Sequence, residues 1–143
     1  MIIPIDIDLN TFRDPTPLLH EQRVRYWKFV AKDLAKTYGA HPAVVGFALG
    51  NEMNQPSLTH QTRCINCDDF WVTFQNISAG LRAGLDAAGV PLNSRIITSP
   101  VQNDVQLHTY KTQSGIPVVD LYREFCNVFM VNVMMAARSV IVV

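Results

Sequence analysis

The sequence predicts an α/β chain: a parallel sheet with covering helices. Three observations carry that expectation. Strand-like and helix-period segments alternate along the chain, in a β-α-β-α-β rhythm from Ile2 to Thr98. The run Ala43 to Leu49 is apolar almost without interruption, which suits a strand covered on both faces rather than on one. The 143 residues are 48% hydrophobic, enough to furnish the core of one modest domain.

The elements follow in order. Ile2–Ile7 is rich in β-branched residues and reads as a strand. Asp14-Pro15-Thr16-Pro17 reads as a turn, since prolines two residues apart fit neither regular element. Between His20 and Tyr38, the residues Val24, Trp27, Ala31, Leu34 and Tyr38 recur at three or four positions and form one helical face, with Gly39 as the stop. Ala43–Leu49 is the second strand. Met53 to Cys67 is polar, contains Pro56 and reads as a loop longer than the usual ~4–6 residues, a length that often carries function. Asp68 or Asp69 caps a second helix. Its face is Phe70, Phe74, Ile77, Leu81 and Leu85, and Gly89 and Pro91 close it. Arg95–Thr98 is a short strand, Val101 to Gly115 is less regular, Val118 to Phe125 is a short helix, and Val128 to Val133 is a further strand. Internal repeats are absent, and Gly46 and Gly50 lack the spacing of a phosphate-binding loop.

Composition narrows the partners. Lys plus Arg (12) balances Asp plus Glu (12), and the basic residues form no stripe that would suit nucleic acid. Met1 to Asp6 lacks the basic start of a secretory signal and is interrupted by acids at Asp6 and Asp8. The apolar tail from Val128 to Val143 is too short to span a membrane and includes Asn132 and Arg138, so no membrane partner is expected. Three cysteines give no disulfide framework. Cys64-x-x-Cys67 with His60 upstream invites a zinc or redox assignment. Zinc needs a second pair of ligands, however, and Cys126 and His108 are distant and single. A redox pair of the thioredoxin type follows a strand rather than a long polar loop. A loop disulfide or two free thiols fits better, and no metal or organic cofactor is implied.

The chemistry concentrates where Ala43–Leu49 ends. Gly50 permits close backbone approach, and Asn51-Glu52 follow at once. Glu52 is one of three glutamates in the chain. In parallel α/β folds, reactive groups collect at the carboxyl ends of strands. A glycosidic bond breaks as its leaving oxygen is protonated, and a carboxylic acid whose pKa is held up by burial supplies that proton. An amide beside it can donate to the sugar 2-hydroxyl, a bond that strengthens in the transition state. The plainer alternative is that Asn51-Glu52 caps the segment that follows.

The run His41-Pro42-Ala43-Val44-Val45-Gly46-Phe47-Ala48-Leu49-Gly50-Asn51-Glu52, led in by Tyr38-Gly39-Ala40, resembles the fourth-strand signature of the large glycoside hydrolase clan of (β/α)8 barrels. Families with cellulase-, glucanase-, mannanase- and β-galactosidase-like activities share it: a helix ending in Tyr-x-x-His-Pro leads into an apolar strand closing on Asn-Glu. The resemblance covers residues 20–55 and is loose elsewhere. It implies a retaining hydrolase of O-glycosyl bonds in a β-linked carbohydrate, with Glu52 as general acid/base and Asn51 contacting the substrate 2-hydroxyl. It also implies a partial (β/α)8 barrel, approximately strands three to six, with 1–143 a single partial barrel domain truncated at both ends. A complete barrel needs at least about 200 residues.

A retaining enzyme also needs a second carboxylate, about 5–5.5 Å from the first, as nucleophile. In the clan this is a glutamate ending the seventh strand. Glu124 precedes the last candidate strand here, and Glu21 starts a helix. Clan members often carry Asn-x-Tyr near the sixth strand, whereas Met134 follows Asn132-Val133. The chain alone is therefore expected to be inactive, and open barrel edges are expected to favour self-association.

Other residues have weaker claims. Asp6 and Asp8 set one acid toward the barrel or are simply exposed. Trp27 belongs with the core, Trp71 is ambiguous, and His41 leads into a strand. Asn10, Asn54, Gln55 and His60 fall in loops on the expected active face. Two further functions compete: a non-catalytic carbohydrate-binding or interaction remnant of a barrel, and an unrelated α/β domain in which Asn51-Glu52 is a cap.

Overall fold

The computed structural model describes residues 1–7, 17–50, 68–99, 111–112, 114–118 and 120–121. Its elements are β1 (Ile2–Ile5), α1 (Pro17–Tyr38), β2 (Gly46–Leu49), α2 (Asp68–Ala87), a 3-10 turn (Leu92–Ser94) and β3 (Ile96–Thr98). The three strands form one parallel sheet in the order β1-β2-β3, with Ile3 opposite Phe47 and Phe47 opposite Ile97. The chain is thus mixed α/β with a parallel sheet, as its alternating pattern predicts. The strands are shorter than the apolar runs: β1 stops at Ile5, and β2 starts at Gly46, after a turn through Pro42 and Ala43.

Alternation along the strands sorts the side chains. Ile5, Ile7, Phe47, Leu49 and Ile97 are buried in one cluster with Ala31 and Ala35 of α1 and Phe74, Ile77, Leu81 and Leu85 of α2. Both helices therefore cover the same face of the sheet. The other face carries Gly46 and Ala48, which are buried, and Ile2, Pro4 and Asp6, which are exposed. Among the described strands, β2 alone is buried at every residue.

Pro17 opens α1 instead of ending a turn. At a first helical position proline loses no hydrogen bond, because that N–H has no partner within the helix, and its fixed φ suits the helix. The helical face predicted on α1 is broadly that observed, with Trp27 and Leu34 packed against the core. Tyr38 departs from it and is exposed. Arg95 Nε donates to Gly39 O at 2.8 Å, placing a cation on the unpaired carbonyls where α1 ends.

The end of α2 is set by Gly89, whose φ of +67° is left-handed. Gly89 N donates to Asp86 O at 2.9 Å and Val90 N to Leu85 O at 2.9 Å, and Pro91 bars any continuation of the helix. A Cβ added at Gly89 would meet no atom within 4 Å. Gly89→Ala is therefore expected to cost only the left-handed backbone penalty, about 1–2 kcal/mol. Gly89→Asn is expected to cost less, because asparagine tolerates this conformation better. Urea denaturation of the two variants checks this ranking.

Beyond β3, Lys111 and Pro117 form an antiparallel bridge around Gly115 (φ +81°). The backbone turns helical at Val118, Asp120 and Leu121, at the start of the helix expected there, and Val118 is buried in the core. The predicted strand Val128 to Val133 lies outside the described residues.

Candidate active site

Parallel pairing brings the carboxyl ends of all three strands to one edge. The chain returns to the opposite edge through the short connections Gly39–Val45 and Ala88–Arg95, so the first turns of α1 and α2 lie on the carboxyl side. At the exit of β2, Gly50 adopts φ +67° and its N–H donates to Ile5 O at 2.8 Å. That bond ties the exit of the central strand to the end of β1. The left-handed backbone turns the chain immediately before Asn51, at a position where a side chain would be strained.

Asn51 and Glu52 themselves lie outside the described residues. So do Asp8, Asn10, Asn54, Gln55, His60, Cys64, Cys67, His108, Glu124 and Cys126. The described backbone fixes where the chain departs toward Asn51: the exit of the middle strand, flanked by β1 and β3.

Three described groups share this edge. Asp6 follows β1 on the face away from the helices and is exposed. Ser99, at the exit of β3, is buried. His20 in the first turns of α1 and Thr73 in those of α2 approach at 3.2 Å between Nε2 and Oγ1, with Thr73 buried. Sequence reasoning gave neither member of that pair a role. They are 53 positions apart, and no local pattern announces such a contact.

The remaining candidates are placed elsewhere. His41 sits in the turn that precedes β2, at the opposite edge, where Ala43 N donates to its Nδ1 at 3.1 Å. Trp71 is buried and meets Phe74 edge-on at 6.0 Å, which settles its ambiguity in favour of the core. Trp27 is half-buried and edge-on to Tyr26 at 5.3 Å. Glu21 pairs with Arg25 at 2.6 Å on the solvent side of α1, an exposed i,i+4 pair of small energetic worth. Among the described residues, no three His, Cys, Asp or Glu side chains group to hold a metal ion, and no helix is long and apolar enough to cross a membrane. A shallow depression of about 370 Å³ is lined by Leu19, Gln22, Arg23, Tyr26 and Trp27 of α1.

The fold and this edge define an α/β chain whose candidate acid follows the central strand of a parallel sheet. Comparison with protein-family models, with curated proteins and with solved structures finds no match in any of the three.

Proposed function

We propose that the chain is part of a (β/α)8 barrel, approximately strands three to six, and carries the proton-donor half of a retaining O-glycosyl hydrolase site. The observation that carries this is the position of the Asn51-Glu52 step. It follows directly on the left-handed Gly50 at the exit of the central strand, in a sheet whose strand order matches chain order. Both crossover helices lie on one face of that sheet, an arrangement that a segment of a barrel wall requires.

In this site Glu52, protonated, gives its proton to the glycosidic oxygen as the bond from the anomeric carbon breaks, then as carboxylate takes a proton from the attacking water. Asn51 donates to the 2-hydroxyl. A retaining site also needs a carboxylate nucleophile, and among the described residues Glu21 does not offer one, since it pairs with Arg25 on the exposed surface of α1.

The test combines turnover with binding. The purified chain is expected to hydrolyse aryl β-glycosides no faster than its Glu52→Gln variant. It is expected to bind β-linked oligosaccharides weakly, with affinity falling about 3- to 10-fold in Asn51→Ala, the worth of one hydrogen bond. Turnover that depends strongly on Glu52 would sink the half-site, and titration calorimetry showing no Asn51-sensitive binding would sink the carbohydrate assignment.

A further inference from the structure

The connection that carries Asn51-Glu52 runs from Gly50, at the exit of β2, to Asp68, the first residue of α2. Both of its roots are hydrogen-bonded to the unit formed by β1 and α1. At the start, Gly50 N donates to Ile5 O of β1 at 2.8 Å. At the far end, Thr73 of α2 holds its Oγ1 3.2 Å from His20 Nε2 of α1. The hydroxyl donates to Nε2 or accepts from Nε2–H, according to the tautomer of His20.

The second contact lies in line with the tight packing of the two helices. A Cβ added at Gly80 would overlap Lys28 O, and one at Gly84 would overlap Lys32 O. His20 with Thr73 continues that pairing at an almost constant offset in sequence, about two turns nearer the carboxyl edge of the sheet. The helices therefore run side by side in the same direction, with their first turns level beside the strand exits. At Gly80 and Gly84 their register is set by shape, and at Thr73 by a directional bond. Trp71 and Phe74 bury this end of α2 in the core. Apolar burial is non-directional, however, and fixes depth better than position across a neighbouring helix. Thr73 is 3% exposed, so water does not readily replace His20, and a lost bond leaves a buried hydroxyl unsatisfied.

We propose that His20 and Thr73 are positioning residues: their bond fixes the α2 end of the connection 51–67, as the Gly50 bond fixes its β2 end. On the glycosidase reading, on which this rests for the role of Asn51, the pair sets where Asn51 meets the sugar. The bracing itself is independent of that reading.

Trypsin reads the bracing directly, because Arg63 is the one tryptic site in the connection and Arg82 the one in α2. Limited digestion of the full chain is expected to cut Thr73→Val after Arg63 about 3- to 10-fold faster than the parent, the worth of one hydrogen bond. Cleavage of this kind tracks the population of the opened segment. Valine keeps the shape and branching of threonine, so cutting after Arg82, inside α2, is expected to be unchanged. Thr73→Ser keeps the hydroxyl and is expected to match the parent. His20→Ala, on the other helix, is expected to act as Thr73→Val does, with no further acceleration when the two are combined. In calorimetric titration with a β-linked oligosaccharide, the loss caused by Asn51→Ala is expected to shrink in the Thr73→Val background. Circular dichroism checks that each variant is folded, and His20→Ala carries the comparison if Thr73→Val is not. Cutting after Arg63 that ignores Thr73→Val, rises equally in Thr73→Ser, adds in the double variant, or is matched by equal acceleration at Arg82 overturns the bracing. An undiminished Asn51→Ala effect in Thr73→Val overturns the positioning role. A parent that binds no sugar sinks the glycosidase reading instead, and the cleavage rates still decide the bracing.

Discussion

Gly84→Val is expected to lower stability by about 3 kcal/mol or more, enough to leave a small domain marginal. The position lies where α2 crosses α1. A Cβ there would overlap Lys32 O and stand 2.7 Å from Ala35 Cβ, and at Gly80 it would overlap Lys28 O and stand 2.8 Å from Lys28 Cγ. Lys28 O and Lys32 O are backbone, so they cannot swing aside; the helices must separate instead. Two effects oppose each other at Gly84. Replacing an interior helical glycine by alanine gains about 1 kcal/mol of propensity, whereas overpacking a fitted contact costs about 1–3 kcal/mol, with more for a branched side chain. The steric term wins, so even Gly84→Ala is expected to destabilise. Urea midpoints of the two variants and the parent measure both effects. A Gly84→Ala variant at least as stable as the parent would rule this crossing out.

That crossing was not legible in the sequence. Periodicity gives weight to large apolar side chains, and on that basis it located Phe74, Ile77, Leu81 and Leu85 on the buried face of α2. Close approach of two helices depends on side chains being absent, at Gly80, Gly84, Ala31 and Ala35, and small residues leave little trace in a hydropathy pattern. Helix ends were easier. Gly89 followed by Pro91 has one strong structural meaning, and the structure realises it with two carbonyl caps. Pro17 was harder, because proline favours both turns and the first position of a helix, and only tertiary placement chooses between them.

The candidate site was legible in a different way. Gly50, with the apolar run before it, was enough to place the end of a central strand, because those residues act locally. Contacts across the fold were not. His20 meets Thr73, and Arg95 meets Gly39 O, over separations of 53 and 56 residues, set by how the helices stack on the sheet. Trp71 shows the same limit. It neighbours Phe70 and Phe74 in sequence, and its burial depends on which way α2 is rotated over β2.

Phe47→Ala is the substitution that connects the core to the site, and it is expected to cost about 3–5 kcal/mol. Phe47 is fully buried on the central strand, opposite Ile3 of β1 and Ile97 of β3, in the cluster both helices cover. Truncation removes the ring's contacts on every side, and a backbone held in two strand pairings has little freedom to close the cavity. Phe47→Leu refills part of that volume and is expected to cost clearly less. Val45→Ala, two residues earlier but 48% exposed, is expected to change stability by no more than about 0.5 kcal/mol. The same strand delivers the chain to Gly50 and the Asn51-Glu52 step. Loss of packing at Phe47 is therefore expected to abolish the proposed Asn51-sensitive oligosaccharide binding under conditions where Phe47→Leu retains it. Equal binding by the alanine and leucine variants would mean that the packing of β2 does not position Asn51, and the central strand would lose its place as the support of the site.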